Sequence, residues 1–170
     1  MTPAELIASP VTTTVTYGDN FRIPVTFTGF RNGDTARSLG LQNAEAAVPG
    51  VGGTPDGGRY DAIFAAGIFG NYRFVDNGAT EELVVTPRPL TIRLRDRNRI
   101  YGETNRFLAP TFEGLVRSSH EEDFTVRQST AATVASDVGT YAISGAASAA
   151  GSSASNYDVS VVPGRLNITP

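Results

Sequence analysis

Titratable chemistry in this chain collects in two places. The first is Ser118-Ser119-His120-Glu121-Glu122-Asp123, which holds the single His beside three consecutive carboxylates. A nucleophilic hydrolase needs a nucleophile, a base and an acid that orients the base, and one His next to Ser supplies only part of such a set. The carboxylates could collect a calcium ion, which takes several oxygen ligands. Three successive side chains on a strand or helix do not converge on one point, however, and no Asp-x-Asp-x-Asp loop is present. The expectation is a solvated loop with no catalytic residue, no metal and no cofactor.

The second place is Arg93, Arg95, Arg97 and Arg99, spaced by two after Ile92. On one strand they share a face, with Leu94 and Ile100 on the other. Such a stripe could pair bidentately with phosphates, sulfates or uronic-acid carboxylates. The competing reading is an exposed strand kept from pairing with other chains by its charge. The positions 84 residues earlier hold Ser9, Val11, Thr13 and Val15, so the stripe belongs to one half of the chain. These four arginines are the candidate ligand-binding residues.

Absences narrow the chemistry further. With no Cys there is no disulfide, thiolate ligand or Cys nucleophile. All fourteen basic residues are Arg, which removes Schiff-base chemistry, a phosphate-loop lysine and Lys-to-Asn crosslinks. A net charge of −3 and a pI near 5.1 give no electrostatic reason to expect nucleic acid. No run of about 18 apolar residues exists, so membrane insertion is not expected. Met1-Thr2-Pro3-Ala4-Glu5 lacks the basic and apolar parts of a signal peptide, and targeting information is expected elsewhere. Asn167-Ile168-Thr169 fits a glycosylation pattern, weakened by its place in a closing strand.

What must position these residues is a set of short strands. Eighteen Gly, ten Pro, abundant Thr, Val and Ala, and one Met describe a mostly β chain rich in turns. Thr-Pro recurs at residues 2, 86 and 169, marking two copies of one repeat. Between the marks Tyr17-Gly18-Asp19 matches Tyr101-Gly102-Glu103, and Phe27-Thr28-Gly29-Phe30 matches Phe112-Glu113-Gly114-Leu115. Gly58-Arg59-Tyr60 pairs with Gly139-Thr140-Tyr141, Asn71-Tyr72 with Asn156-Tyr157, and Leu83-Val84-Val85-Thr86-Pro87 with Leu166-Asn167-Ile168-Thr169-Pro170. The domains are therefore 3–86 and 87–170.

Insertions between copies fall in Gly, Ser and Pro-rich stretches, read as loops at 49–58 and at 144–155, the latter too poor in bulk for core. Tyr60, Ala62 and Phe64, and again Tyr157, Val159 and Val161, show the period of two of half-buried strands. Asn77-Gly78 and Pro163-Gly164 predict a hairpin closing each copy. Residues 33–39 predict one helical turn capped by Asp34, with a counterpart at 119–124, placing Leu39 and Phe124 as core plugs. Recurrence of Tyr17/Tyr101, Tyr60/Tyr141 and Tyr72/Tyr157 predicts core packing with hydrogen-bonded hydroxyls rather than sugar stacking, and Trp is absent. Pro87-Arg88-Pro89 predicts a short, stiff junction. Two copies of about 30 Å would then form an elongated pair of roughly 60 Å. Strand alternation leaves open an Ig-like sandwich or a β-grasp-like sheet with a short helical turn.

The order Tyr-Gly-Asp, Phe-x-Gly-Phe-x-x-Gly-Asp-Thr, Gly-x-Tyr, Asn-Tyr and Leu-x-Val-Thr-Pro-x-Pro-Leu-Thr-Ile resembles the YGX-type MBG repeats of large bacterial adhesins. The resemblance covers nearly the whole chain. The second copy departs from it at Ser118-Ser119-His120-Glu121, where the first has Asn32-Gly33-Asp34-Thr35. It implies an extracellular or cell-surface location, as in the stalks of filamentous-haemagglutinin-like exoproteins exported by two-partner secretion or autotransport. It also implies a structural or adhesive role as a monomer, with adjacent repeats of the parent protein and host or biofilm glycans as partners. No catalytic residues come with the family, and an enzyme is not expected. The alternative function is a module that binds an anionic polysaccharide through the arginines or the variable loops.

Overall fold

Leu90 and Ile92, like Leu6 and Ala8 before them, alternate with more exposed neighbours, and each run forms a strand at the middle of a sheet. The structure, a computed structural model, describes residues 2–76, 78 and 80–170. It divides into two units, Met1–Thr86 and Pro87–Pro170. The first contains β1 (Ala4–Pro10), β2 (Thr13–Thr16), β3 (Val25–Thr28), β4 (Gly58–Asp61), β5 (Ile68–Phe69), β6 (Tyr72–Asp76) and β7 (Glu82–Thr86). The second contains β8 (Arg88–Arg93), β9 (Arg97–Ile100), β10 (Thr111–Glu113), β11 (Phe124–Thr130), β12 (Gly139–Ala149), β13 (Tyr157–Val162) and β14 (Gly164–Thr169). Two 3-10 segments, Ser118–Asp123 and Ser152–Asn156, are the helical elements among the described residues.

Each unit has two sheets that share most of their wiring, β5 belonging to the first unit alone and β11 to the second. In the first, the orders are β3-β1-β6-β5 and β2-β7-β4; in the second they are β10-β8-β13 and β11-β12-β14-β9. β1 pairs parallel with β6 as β8 does with β13, and β2 pairs parallel with β7 as β9 does with β14. The antiparallel partners β3, β10, β4 and β12 also correspond. Both units are mostly β, with parallel pairings beside the antiparallel ones, and no α-helix crosses a sheet among the described residues.

Side chains of both sheets form the interior of the second unit. Leu94, Ile143, Leu166 and Ile168 are buried together with Ala132, and Val126, Tyr141 and Val161 pack on them. In the first unit Leu6, Ile23, Leu83 and Val85 are buried, and Phe27, Phe64 and Phe74 meet edge to face or tilted with centroids 5.2–5.8 Å apart. Each fully buried aliphatic side chain contributes about 1.5–3 kcal/mol of transfer free energy, a large share of what a unit this small can hold.

Four expectations are corrected. Neither copy closes with a hairpin: β6 and β7 lie in different sheets, as do β13 and β14. β6 and β13 instead pair parallel with β1 and β8, β7 and β14 parallel with β2 and β9, and the chain passes from one sheet to the other; Asn77 lies outside the described residues. The tract 144–149 is strand, because β12 runs to Ala149 and pairs with the whole of β11. Its small residues permit close approach: a Cβ on Gly145 would stand 2.8 Å from Leu94 Cδ1. In the first unit the matching place holds an isolated bridge, Ala47 to Ile63. Residues 33–39 make turns, and the local cap is reciprocal bonding between Thr35 and Ser38 rather than Asp34. Leu39 is only half-buried, while Phe124 is buried as expected.

Candidate functional site

The four arginines do not form one stripe. β8 ends at Arg93, the chain crosses between sheets over 94–96, and β9 begins at Arg97. Before the crossing Leu90, Ile92 and Leu94 face the interior; after it the inward positions are odd-numbered, and Arg99 is buried. A change of parity in a bent strand sends alternate side chains to opposite faces. Arg93 therefore points out and pairs with Glu113 (Nε to Oε1, 2.9 Å), and Arg95 is exposed. Exposed Arg97 and buried Arg99 lie on the same side of β9, beside Leu166 and Ile168 of β14.

Arg99, 5% exposed, is held by three neutral acceptors. Its Nε donates to Asn105 Oδ1 (2.9 Å), Nη1 to the Ile100 carbonyl (3.1 Å) and Nη2 to the Thr133 carbonyl (2.6 Å). Asn105 Nδ2 donates to the Ala132 carbonyl at 2.6 Å, so the amide ties the loop after β9 to the 131–138 loop. Arg97, Arg99, Glu103, Thr104 and Arg106 line an open hollow of about 370 Å³. Arg106 went unnoticed in the sequence because it lies in a loop, where no periodicity points to it.

His120 has a structural partner. Its Nδ1 lies 2.6 Å from the hydroxyl of buried Tyr157, which also accepts the Val116 N–H at 3.0 Å. The first unit builds the same strut from different residues. Tyr72 Oη accepts the Arg31 N–H at 2.8 Å and donates towards Asp34 Oδ2 at 2.8 Å. Burial, followed by the nearby Asp34 carboxylate, pushes the Tyr72 hydroxyl above its ordinary pKa, with the Arg31 N–H opposing. Asp34 and His120 thus do one job, fastening a loop to a core tyrosine. Asp123 is likewise engaged, accepting from the Ser153 N–H and hydroxyl. Among the described residues no group of three His, Asp or Glu side chains is arranged to hold a metal ion.

Tyr60 and Tyr141 form a second recurring device. Each hydroxyl donates to the carbonyl four residues upstream, Asp56 at 2.9 Å and Asp137 at 3.0 Å, which ties the loop entering β4 and β12 to the strand itself. Residues 90–167 match the family model for the MBG domain, YGX type. The second unit is a YGX-type MBG domain. The first unit repeats the pairings of six of its strands, β1, β2, β3, β4, β6 and β7 matching β8, β9, β10, β12, β13 and β14. No curated protein matches the chain.

The MBG landmarks have physical reasons. Gly29 and Gly114, at φ +105° and +110°, pass so close to the neighbouring strand that a Cβ would stand 2.9 Å from the Glu5 carbonyl oxygen and 2.5 Å from that of Pro89. The Tyr-Gly landmark marks a shared turn: Tyr17 N–H donates to the Thr86 carbonyl at 2.8 Å, and Tyr101 N–H to that of Thr169 at 2.9 Å. Their rings differ, Tyr17 being 6% and Tyr101 52% exposed. The expectation of core packing is thus corrected for Tyr101, whose ring lies past the last paired residue of β9.

Proposed function

We propose that the chain is a pair of non-catalytic structural modules of a secreted or surface-displayed bacterial protein, in which tandem MBG domains extend an adhesive region away from the cell. The observation that carries the reading is the repetition of one wiring in both units, with a single residue, Pro87, between β7 and β8. Repeat arrays gain reach by adding copies and stability from neighbours. The side chains with the greatest chemical potential support the same view: His120 and Asp34 are engaged in fastening loops. No helix among the described residues is long and apolar enough to cross a membrane.

Small-angle scattering of the two-unit chain beside residues 87–170 tests the proposal. A maximum dimension close to double that of the single unit is expected; a compact particle of little greater length contradicts it. The alternative with a specific observation behind it, recognition of an acidic polysaccharide, rests on the arginine-lined hollow beside β9.

A further inference from the structure

A buried guanidinium needs more than neutral carbonyls around it. Taking a charge out of water costs several kcal/mol unless an opposite charge compensates. Arg99 is nine-tenths buried or more, yet its hydrogen-bond acceptors are two backbone carbonyls and the Asn105 amide oxygen. No carboxylate among the described residues forms an ion pair with Arg99, Arg97 or Arg106. Glu103 lines the same hollow, but its Oε2 accepts the Ile100 N–H at 3.1 Å. Three guanidinium groups and one carboxylate leave the lining with a formal charge of +2.

Guanidinium carries five N–H donors. Three on Arg99 are engaged, which leaves one on each terminal nitrogen to donate to an anion. Thr104 adds a hydroxyl, and no aromatic face lines the space. At about 370 Å³ the hollow lies near the lower end of small-ligand sites. We propose that it binds a single oxyanionic group, the carboxylate or sulfate ester of an acidic polysaccharide, between Arg97, Arg99 and Arg106. This goes beyond a purely structural role and deepens the polysaccharide alternative. Its test is independent of the scattering test. The first unit has Thr13 and Val15 in place of Arg97 and Arg99 and so lacks the site.

NMR titration of the whole two-unit chain with sodium glucuronate, methyl sulfate and a polyguluronate tetrasaccharide tests the assignment. Saturable amide shifts confined to about residues 97–106 and the 131–134 loop are expected, with tighter binding for the tetrasaccharide. Arg97→Gln and Arg106→Gln, both at exposed positions, should each weaken binding about tenfold, the scale of one lost charge-assisted bond. Arg93→Gln and Arg127→Gln, exposed arginines elsewhere in the unit, should leave it unchanged. Absence of saturable shifts, or equal weakening by all four substitutions, overturns the site. Tighter binding of inorganic phosphate than of glucuronate or methyl sulfate overturns the polysaccharide assignment.

Discussion

Gly114→Ala should destabilise the second unit while sparing the first. The new Cβ would stand 2.5 Å from the Pro89 carbonyl oxygen and 3.6 Å from Leu90 Cα, both backbone atoms of the central strand β8. Backbone strain at φ +110° costs about 1–3 kcal/mol for a residue with a side chain. Relieving the clash by moving β10 from β8 costs about another 1–3 kcal/mol, the range for overpacked sites. A unit of 84 residues holds only about 4–13 kcal/mol in total, so the loss consumes much of it. Since each kcal/mol moves the midpoint of so small a domain by about 4–8 °C, scanning calorimetry of the whole chain should show one transition lowered by about 10 °C or more. Gly102→Ala is the control: its φ is +84°, but nothing lies within 4 Å of the added atom, so only backbone strain remains. Equal effects of the two substitutions would refute the argument that close approach to β8 demands the motif glycine.

Other outcomes follow from the struts and the core. His120→Ala removes the imidazole partner of the Tyr157 hydroxyl and should cost about 0.5–1.5 kcal/mol in urea unfolding. The raised pKa of Tyr72 means that the folded state favours its neutral form. Its contribution is therefore fully present below the unfolded value of about 10 and is lost as pH rises through the higher folded value. Tyr72→Phe should remove that component of the alkaline fall in stability of the first unit, measured as urea midpoint against pH. Leu166→Ala, at a side chain only 1% exposed, should cost about 2.7–5 kcal/mol by calorimetry.

The repeat was legible because the residues that recur serve backbone geometry common to both units. Gly29 and Gly114 recur because the chain passes a neighbouring carbonyl too closely for any Cβ, and Tyr60 and Tyr141 because each closes the same four-residue loop. Asp34 and His120 escaped pairing by function, since a phenol accepts either a carboxylate or an imidazole as partner and residue identity does not record the equivalence. Alternation located strands but not their partners, so the crossings after β6 and β13 looked like hairpins. The arginine stripe failed for a related reason: a period of two continues through a bend that reverses which face points inward. Within the Ala, Ser and Gly tract at 144–149, Gly145 is small because Leu94 already fills the space beside it, a fact no local composition contains.

Residues 87–170 produced alone test most directly whether each unit is a self-sufficient fold. Thermal unfolding of this fragment should be cooperative, and its amide NMR spectrum should overlay that of the same residues in the whole chain away from the cut at Pro87. A collapsed spectrum without dispersion, or unfolding without a cooperative transition, would contradict it.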